Sequence, residues 1–84
     1  MDIEKMRTFL TVADTGSFAD ASEILFLTAS TVSKHVAALE GELGIQLLTR
    51  NAKRVALTED GKSCIAEIRC IVDSYDVLRQ KQEK

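Results

Sequence analysis

The chain has 84 residues, 45% of them hydrophobic, no proline and a formal net charge of −2 at pH 7. That suffices for one folded domain with a single modest core, is too little for two, and argues against disorder. No apolar run approaches the about 18 residues that cross a membrane, and the acidic start Met1-Asp2-Ile3-Glu4 is unlike a signal peptide, so a cytoplasmic setting without membrane contact is expected.

Ile3, Met6, Phe9, Leu10 and Ala13 share one face over residues 3–14, which predicts a first helix with Gly16 as its C-terminal stop. Ser17-Phe18-Ala19-Asp20 fits a capping box and opens a short second helix through about Leu25. The turn Phe26-Leu27-Thr28 is so short that the next helix must cross this one steeply, giving a helix-turn-helix whose second member is the reading helix. That helix is predicted over 28–43. Thr28 is its N-cap, and Val32, Val36, Leu39 and Leu43 fall at i, i+4, i+7 and i+11 on the face that goes inward. Ser30, Lys34, Ala37 and Gly41 point the opposite way, with Ser33 and Ala38 on the flanks. Small residues, hydroxyls and one lysine let a backbone approach another surface closely, as the DNA major groove requires. An ordinary solvated face is the alternative, although such faces usually carry more long charged side chains.

Gly44 is a second stop signal, and Ile45–Arg50 and Val55–Leu57 then read as two short strands around the basic tip Asn51-Ala52-Lys53-Arg54. Beside a helix-turn-helix this hairpin is a wing, and Lys53 and Arg54 at its tip suit backbone phosphates or the minor groove. A solvated hairpin tip would look similar. Residues 1–57 thus form a winged helix-turn-helix domain and 58–84 a linker helix, a mainly α fold of three helices, a β-hairpin wing and a long C-terminal helix.

Thr58 caps that last helix, with Glu59 and Asp60 in its first turn, where negative charge suits the dipole. Cys64, Ile68, Ile71, Tyr75 and Leu78 alternate spacings of four and three, the 3.5-residue repeat of a coiled-coil seam, and Ile65 and Val72 widen it. A helix of about 25 residues is about 37 Å long. That exceeds what so small a body covers, so these seven residues are expected to pair with a second copy in a homodimer; packing wholly onto the chain's own helices is the alternative. Tyr75 reads as a seam residue with its hydroxyl at the rim, and the polar tail from Arg79 as a fraying end.

A pI near 5.3 counts against a simple nucleic-acid binder, but the charge is segregated. Residues 1–27 carry −3 and 58–84 carry −1, whereas 28–57, with Lys34, Arg50, Lys53 and Arg54 against Glu40 and Glu42, carry +2. Cys64 and Cys70 lie six apart with no metal-type spacing and read as buried or idle thiols, with redox sensing the alternative, so no metal or cofactor is expected in this chain. No Ser/His/acid set, paired carboxylates or Gly-rich phosphate loop appears, which sets an enzyme aside.

Read together, these residues resemble the N-terminal DNA-binding domain of LysR-type transcriptional regulators across nearly the whole chain. The resemblance rests on Phe9 and Val12; Gly16-Ser17-Phe18, Ala21-Ser22 and Leu25; Val32-Ser33; Leu39-Glu40, Leu43-Gly44, Leu47 and Arg50; then Val55, Leu57-Thr58 and Gly61. It implies sequence-specific binding of double-stranded DNA by a dimer whose linker helices pair antiparallel. Ser33 and Lys34 would lie at base edges or adjacent phosphates, Ser17 and Thr28 would cap helices near phosphates, Lys53 would approach the minor groove, and Arg50 would support the wing or a phosphate.

Three positions depart from the pattern. Ala29-Ser30 stands where members often carry Gln-Pro, and Leu48 where a Phe is usual, a change that should only repack the core. Ala29 cannot make the bidentate adenine contact of a Gln, about 1–3 kcal/mol of discrimination at one base pair, while Ser30 still offers a hydroxyl. His35 flanks the apolar stripe, where a structural role is weighed against a DNA contact. Members usually continue into a larger domain that binds a small inducer, so the chain is expected to be an excised fragment or a stand-alone module. A winged-helix interaction module that does not bind DNA remains the alternative function.

Overall fold

The structure is a computed structural model that describes residues 2–49 and 54–82. Its elements run α1 (Ile3–Thr15), α2 (Phe18–Leu25), α3 (Ala29–Leu43), β1 (Leu48–Thr49), β2 (Ala56–Leu57) and α4 (Glu59–Gln82). Local chemistry sets most of these bounds. Asp2 caps α1 by accepting from Lys5 N–H at 2.8 Å, and Gly16, at φ 74°, ends it with its own N–H on Val12 O. Thr28 accepts from Thr31 N–H at 3.1 Å to open α3, and Gly44, at φ 72°, closes it.

Helix α2 ends without a glycine. Phe26 takes the left-handed conformation, φ 57°, and Leu27 N–H donates to Ser22 O at 2.9 Å. Leu27 packs against the core, which holds the turn in this shape and leaves the Phe26 ring 95% exposed. The capping box at the other end of α2 is only half made. Ser17 Oγ accepts from Asp20 N–H at 3.1 Å, but Ser17 N–H donates to Thr15 Oγ1, a closer partner supplied by the end of α1.

Helix α1 is the centre of the packing, in contact with α2, α3 and α4. The core joins Met6, Phe9, Leu10 and Val12 to Ala21 of α2, to Val32, Val36 and Leu39 of α3, to Leu47 and Leu48, and to Ile68 and Val72 of α4. Gly61 permits the last junction, because a Cβ there would fall on the Leu47 carbonyl. Arg7–Asp76 and Arg69–Asp14, each a bidentate pair with a shorter contact of 2.9 Å, bind α4 antiparallel along α1.

Among the described residues the hairpin pairs Leu48↔Leu57 and Thr49↔Ala56, so 45–47, predicted as strand, lie outside it. Neighbouring backbone groups are taken elsewhere: Leu47 and Leu48 N–H by the Glu40 carboxylate, and Leu47 O by Thr58 N–H. At the far end of the chain α4 stays helical to Gln82, past the fraying expected from Arg79.

Candidate nucleic-acid interface

The apolar stripe of α3 is buried as its spacing requires, which defines the face of the helix that turns outward. Ala29, Ser30, Ser33, Lys34, Ala37 and Gly41 are all exposed. The first turn of α3 carries no acidic side chain, whereas α1 has Glu4, α2 has Asp20 and α4 has Glu59 and Asp60. The positive end of the α3 dipole therefore meets no carboxylate from its own first turn. Thr28 uses its hydroxyl locally, accepting from Thr31 N–H and donating to Thr31 Oγ1 at 2.8 Å. Thr31, a residue that reading the sequence passed over, is thereby tied to the cap of α3. The i, i+3 hydroxyl pair at a helix start was the available signal.

Lys34 on this face and Arg54 before β2 are both exposed cations. Lys34 has no carboxylate partner among the described residues, and neither does Arg54. By contrast Lys5, Arg7, Lys62 and Arg69 are held by Asp2, Asp76, Glu59 and Asp14. These pairings shift protonation: the Arg7 hydrogen bonds hold the Asp76 carboxyl below its ordinary value, and the Asp14 hydrogen bonds raise Arg69. Arg54 is followed by Val55, whose N–H donates to Gly16 O at 3.3 Å. The Arg54 guanidinium passes 3.6 Å from where a Gly16 Cβ would stand, beside the Ser17 cap of α2. Ser17, the start of α3 and Arg54 are thereby held on one fold; Arg50 and Lys53 lie outside the described residues.

Glu40 joins the reading helix to the wing. Its Oε2 accepts from Leu47 N–H at 2.8 Å and Leu48 N–H at 3.2 Å, while Thr58 Oγ1 donates to Gln46 O at 2.6 Å and accepts from Gly61 N–H at 2.9 Å. The segment count treated Glu40 only as a negative charge. Sequence reading missed this clamp because it acts across a loop.

A helix-turn-helix with a wing on this scaffold is matched, over residues 3–62, by the model of bacterial regulatory helix-turn-helix proteins of the lysR family. The chain belongs to the LysR family. An HTH-type transcriptional regulator from the ibpB-leuC intergenic region of Azotobacter vinelandii is 45% identical over 65 residues, 77% of this chain and 45% of that protein. The regulator YfiE of Escherichia coli is 37% identical over all 84 residues but only 29% of its own length. This LysR chain thus spans less than half of each of these relatives. Among solved structures, that of the BenM DBD in complex with benA site 1 DNA superposes with a TM-score of 0.90 at 28% identity, covering 99% of this chain and 93% of that one.

The seam expected on α4 of this LysR chain is divided. Ile68 and Val72 are each 4% exposed and packed into the chain's own core, with Cys64 and Ile65 against its edge, so Ile68 and Val72 are corrected from partner-facing to core residues. The cause is the contact of α4 with α1, which adds Met6, Phe9 and Leu10 to the same cluster. Tyr75 is half-buried, with the Arg79 guanidinium 6.0 Å from its ring centre. Ile71 and Leu78 remain 44% and 56% exposed, and Val77 is 51% exposed. Cys70 is exposed and Cys64 half-buried, both as free thiols. Among the described residues no cluster of metal-binding side chains occurs, and no helix is long and apolar enough to cross a membrane.

Proposed function

We propose that this chain is the DNA-reading module of a bacterial LysR-type regulator, binding duplex DNA sequence-specifically as a homodimer. The observation that carries the reading is the outer face of α3: exposed Ser30, Ser33 and Lys34, the last without a carboxylate partner among the described residues, on a helix whose own first turn has no acidic residue. The likeness to a domain solved on DNA supports it. The α3 face would enter the major groove, with Ser33 and Lys34 at base edges or neighbouring phosphates and Ala29 and Ser30 near the bases. Thr28 and Ser17 would hold helix starts near phosphates. Arg54, with Arg50 and Lys53, would follow the backbone or the minor groove.

In a dimer joined through α4, two reading helices would meet successive major grooves about 34 Å apart on an interrupted inverted repeat. No catalytic role or cofactor is assigned to the chain, and an inducer would bind elsewhere in a longer, cytoplasmic protein. The test is selection of host genomic fragments by the purified chain at low and near-physiological salt. Enrichment of an inverted repeat is the expected result; retention at neither salt overturns the reading and favours a winged-helix interaction module. Lys53→Ala should weaken binding to every duplex and flatten the salt dependence by a slope of about 0.9. An unchanged slope removes the wing tip from the contacts.

A further inference from the structure

Thr8 of α1 is the buried polar residue of the core, 1% exposed. Its Oγ1 lies 2.9 Å from Glu4 O, one turn back, and 3.0 Å from Nδ1 of His35 on α3. A hydroxyl has one proton. Back-bonded to the Glu4 carbonyl, it offers the ring only lone pairs, so Nδ1 carries a hydrogen and donates to Oγ1. His35 is half-buried, next to Lys34, and the single histidine of the chain.

Glu40, on the other flank of α3, reaches Leu47 and Leu48 N–H through a longer and more flexible side chain, and between these two polar residues the inner face is apolar: Val32, Val36 and Leu39 share one cluster with Phe9 and Val12. Apolar burial is non-directional and tolerates a small rotation of a helix about its axis, whereas an N–H···O hydrogen bond is angle-dependent. With side-chain tips about 5–6 Å from the axis, a rotation of about 10° moves them about 1 Å. A recognition constellation has to be held within about 0.5 Å.

Resting on the DNA-reading proposal above, we infer that the Thr8–His35 hydrogen bond sets the axial rotation of α3, making Thr8 and His35 positioning residues for base readout by Ser33 and Lys34. Neither needs to touch DNA. Their effect falls on discrimination between sequences, because phosphate contacts survive a 1 Å displacement that base-edge hydrogen bonds do not.

The experiment measures affinity for a duplex selected from host genomic DNA and for a shuffled duplex of equal length, at one salt concentration. It compares wild type with Thr8→Val, Thr8→Ser, His35→Leu and His35→Asn, whose amide nitrogen falls where Nδ1 stood. Thr8→Val and His35→Leu are expected to keep shuffled-duplex affinity within about twofold and to lose about tenfold in discrimination, the scale of one good base contact. Thr8→Ser and His35→Asn restore it. Discrimination that survives Thr8→Val, or a loss that Thr8→Ser does not rescue, overturns the inference.

Nitrogen-15 NMR of the lone wild-type imidazole supplies a readout independent of how the variants fold. A hydrogen on Nδ1 is expected, and a neutral ring protonated only at Nε2 overturns the inference. A wild type that retains no duplex overturns the DNA reading and this inference with it. Wild-type discrimination unaffected in the variants overturns this inference alone.

Discussion

Two glycines in helices carry opposite expectations for the same substitution. At Gly41, on the exposed face of α3, an added Cβ meets nothing within 4 Å. Gly41→Ala should therefore gain the helix-propensity difference, about 0.5–1 kcal/mol. Gly61 lies in the first turn of α4 against the strand that leads into the wing, and the same Cβ would land on the Leu47 carbonyl. Backbone cannot swing aside as a side chain can, so overpacking of about 1–3 kcal/mol should exceed the propensity gain and make Gly61→Ala destabilising. Thermal unfolding of the two variants beside wild type checks both signs. A stabilised Gly61→Ala would mean that α4 can slide away from Leu47.

Between elements, charge does the joining. The Glu40 carboxylate holds Leu47 and Leu48 N–H, so Glu40→Ala leaves buried donors unpaired and should cost about 2–3 kcal/mol, a fall in Tm on the order of 10 °C. Glu40→Gln, still an acceptor but neutral, should fall between. A Glu40→Ala variant as stable as wild type would show that the strand is held without the clamp. The bridge from Asp76 to Arg7 has a pH signature. Arg7 lowers the Asp76 carboxyl in the folded chain, so its contribution is complete above the ordinary carboxylate range and lost as pH falls through the lowered value. The stability difference between wild type and Asp76→Asn should thus be constant near neutrality and vanish in acid; a difference that persists in acid would assign the loss to packing.

These two links mark where sequence stops being legible. The bounds of α1, α2 and α3 were readable because Gly16, Ser17, Thr28 and Gly44 act within a turn of themselves. Of the candidate site, the outward set Ser30, Ser33 and Lys34 followed from periodicity. Glu40 and the Thr8–His35 pair did not, because each depends on a partner that only the clamp or the helix packing defines.

At the scale of the whole molecule, the question is what remains of α4 once α1 is covered. The 3.5-residue repeat treated Cys64, Ile68, Ile71, Tyr75 and Leu78 as one stripe, yet a repeat cannot say how much of a stripe the chain's own core takes. Turning about 100° per residue from Ile68 and Val72, which face α1, Ile71 and Leu78 fall to one side, and Cys70 and Val77 onto the far face. These are the apolar side chains still open to a second copy, on a 24-residue helix that helps stretch the molecule to 46 × 26 × 19 Å. If the dimer forms there, a buried carboxylate without a partner should break it while the core, which holds neither residue, stays intact. Ile71→Glu with Leu78→Glu is therefore expected to leave Tm within a few degrees of the dissociated wild-type chain and to convert a concentration-dependent dimer to monomer in sedimentation equilibrium. Binding to an inverted repeat should drop far more than binding to a single half-site, because only the former draws on two linked reading helices. A double variant that sediments as wild type does would move the dimer contact off this side of α4, and retained preference for the repeat would remove α4 from the spacing of the half-sites altogether.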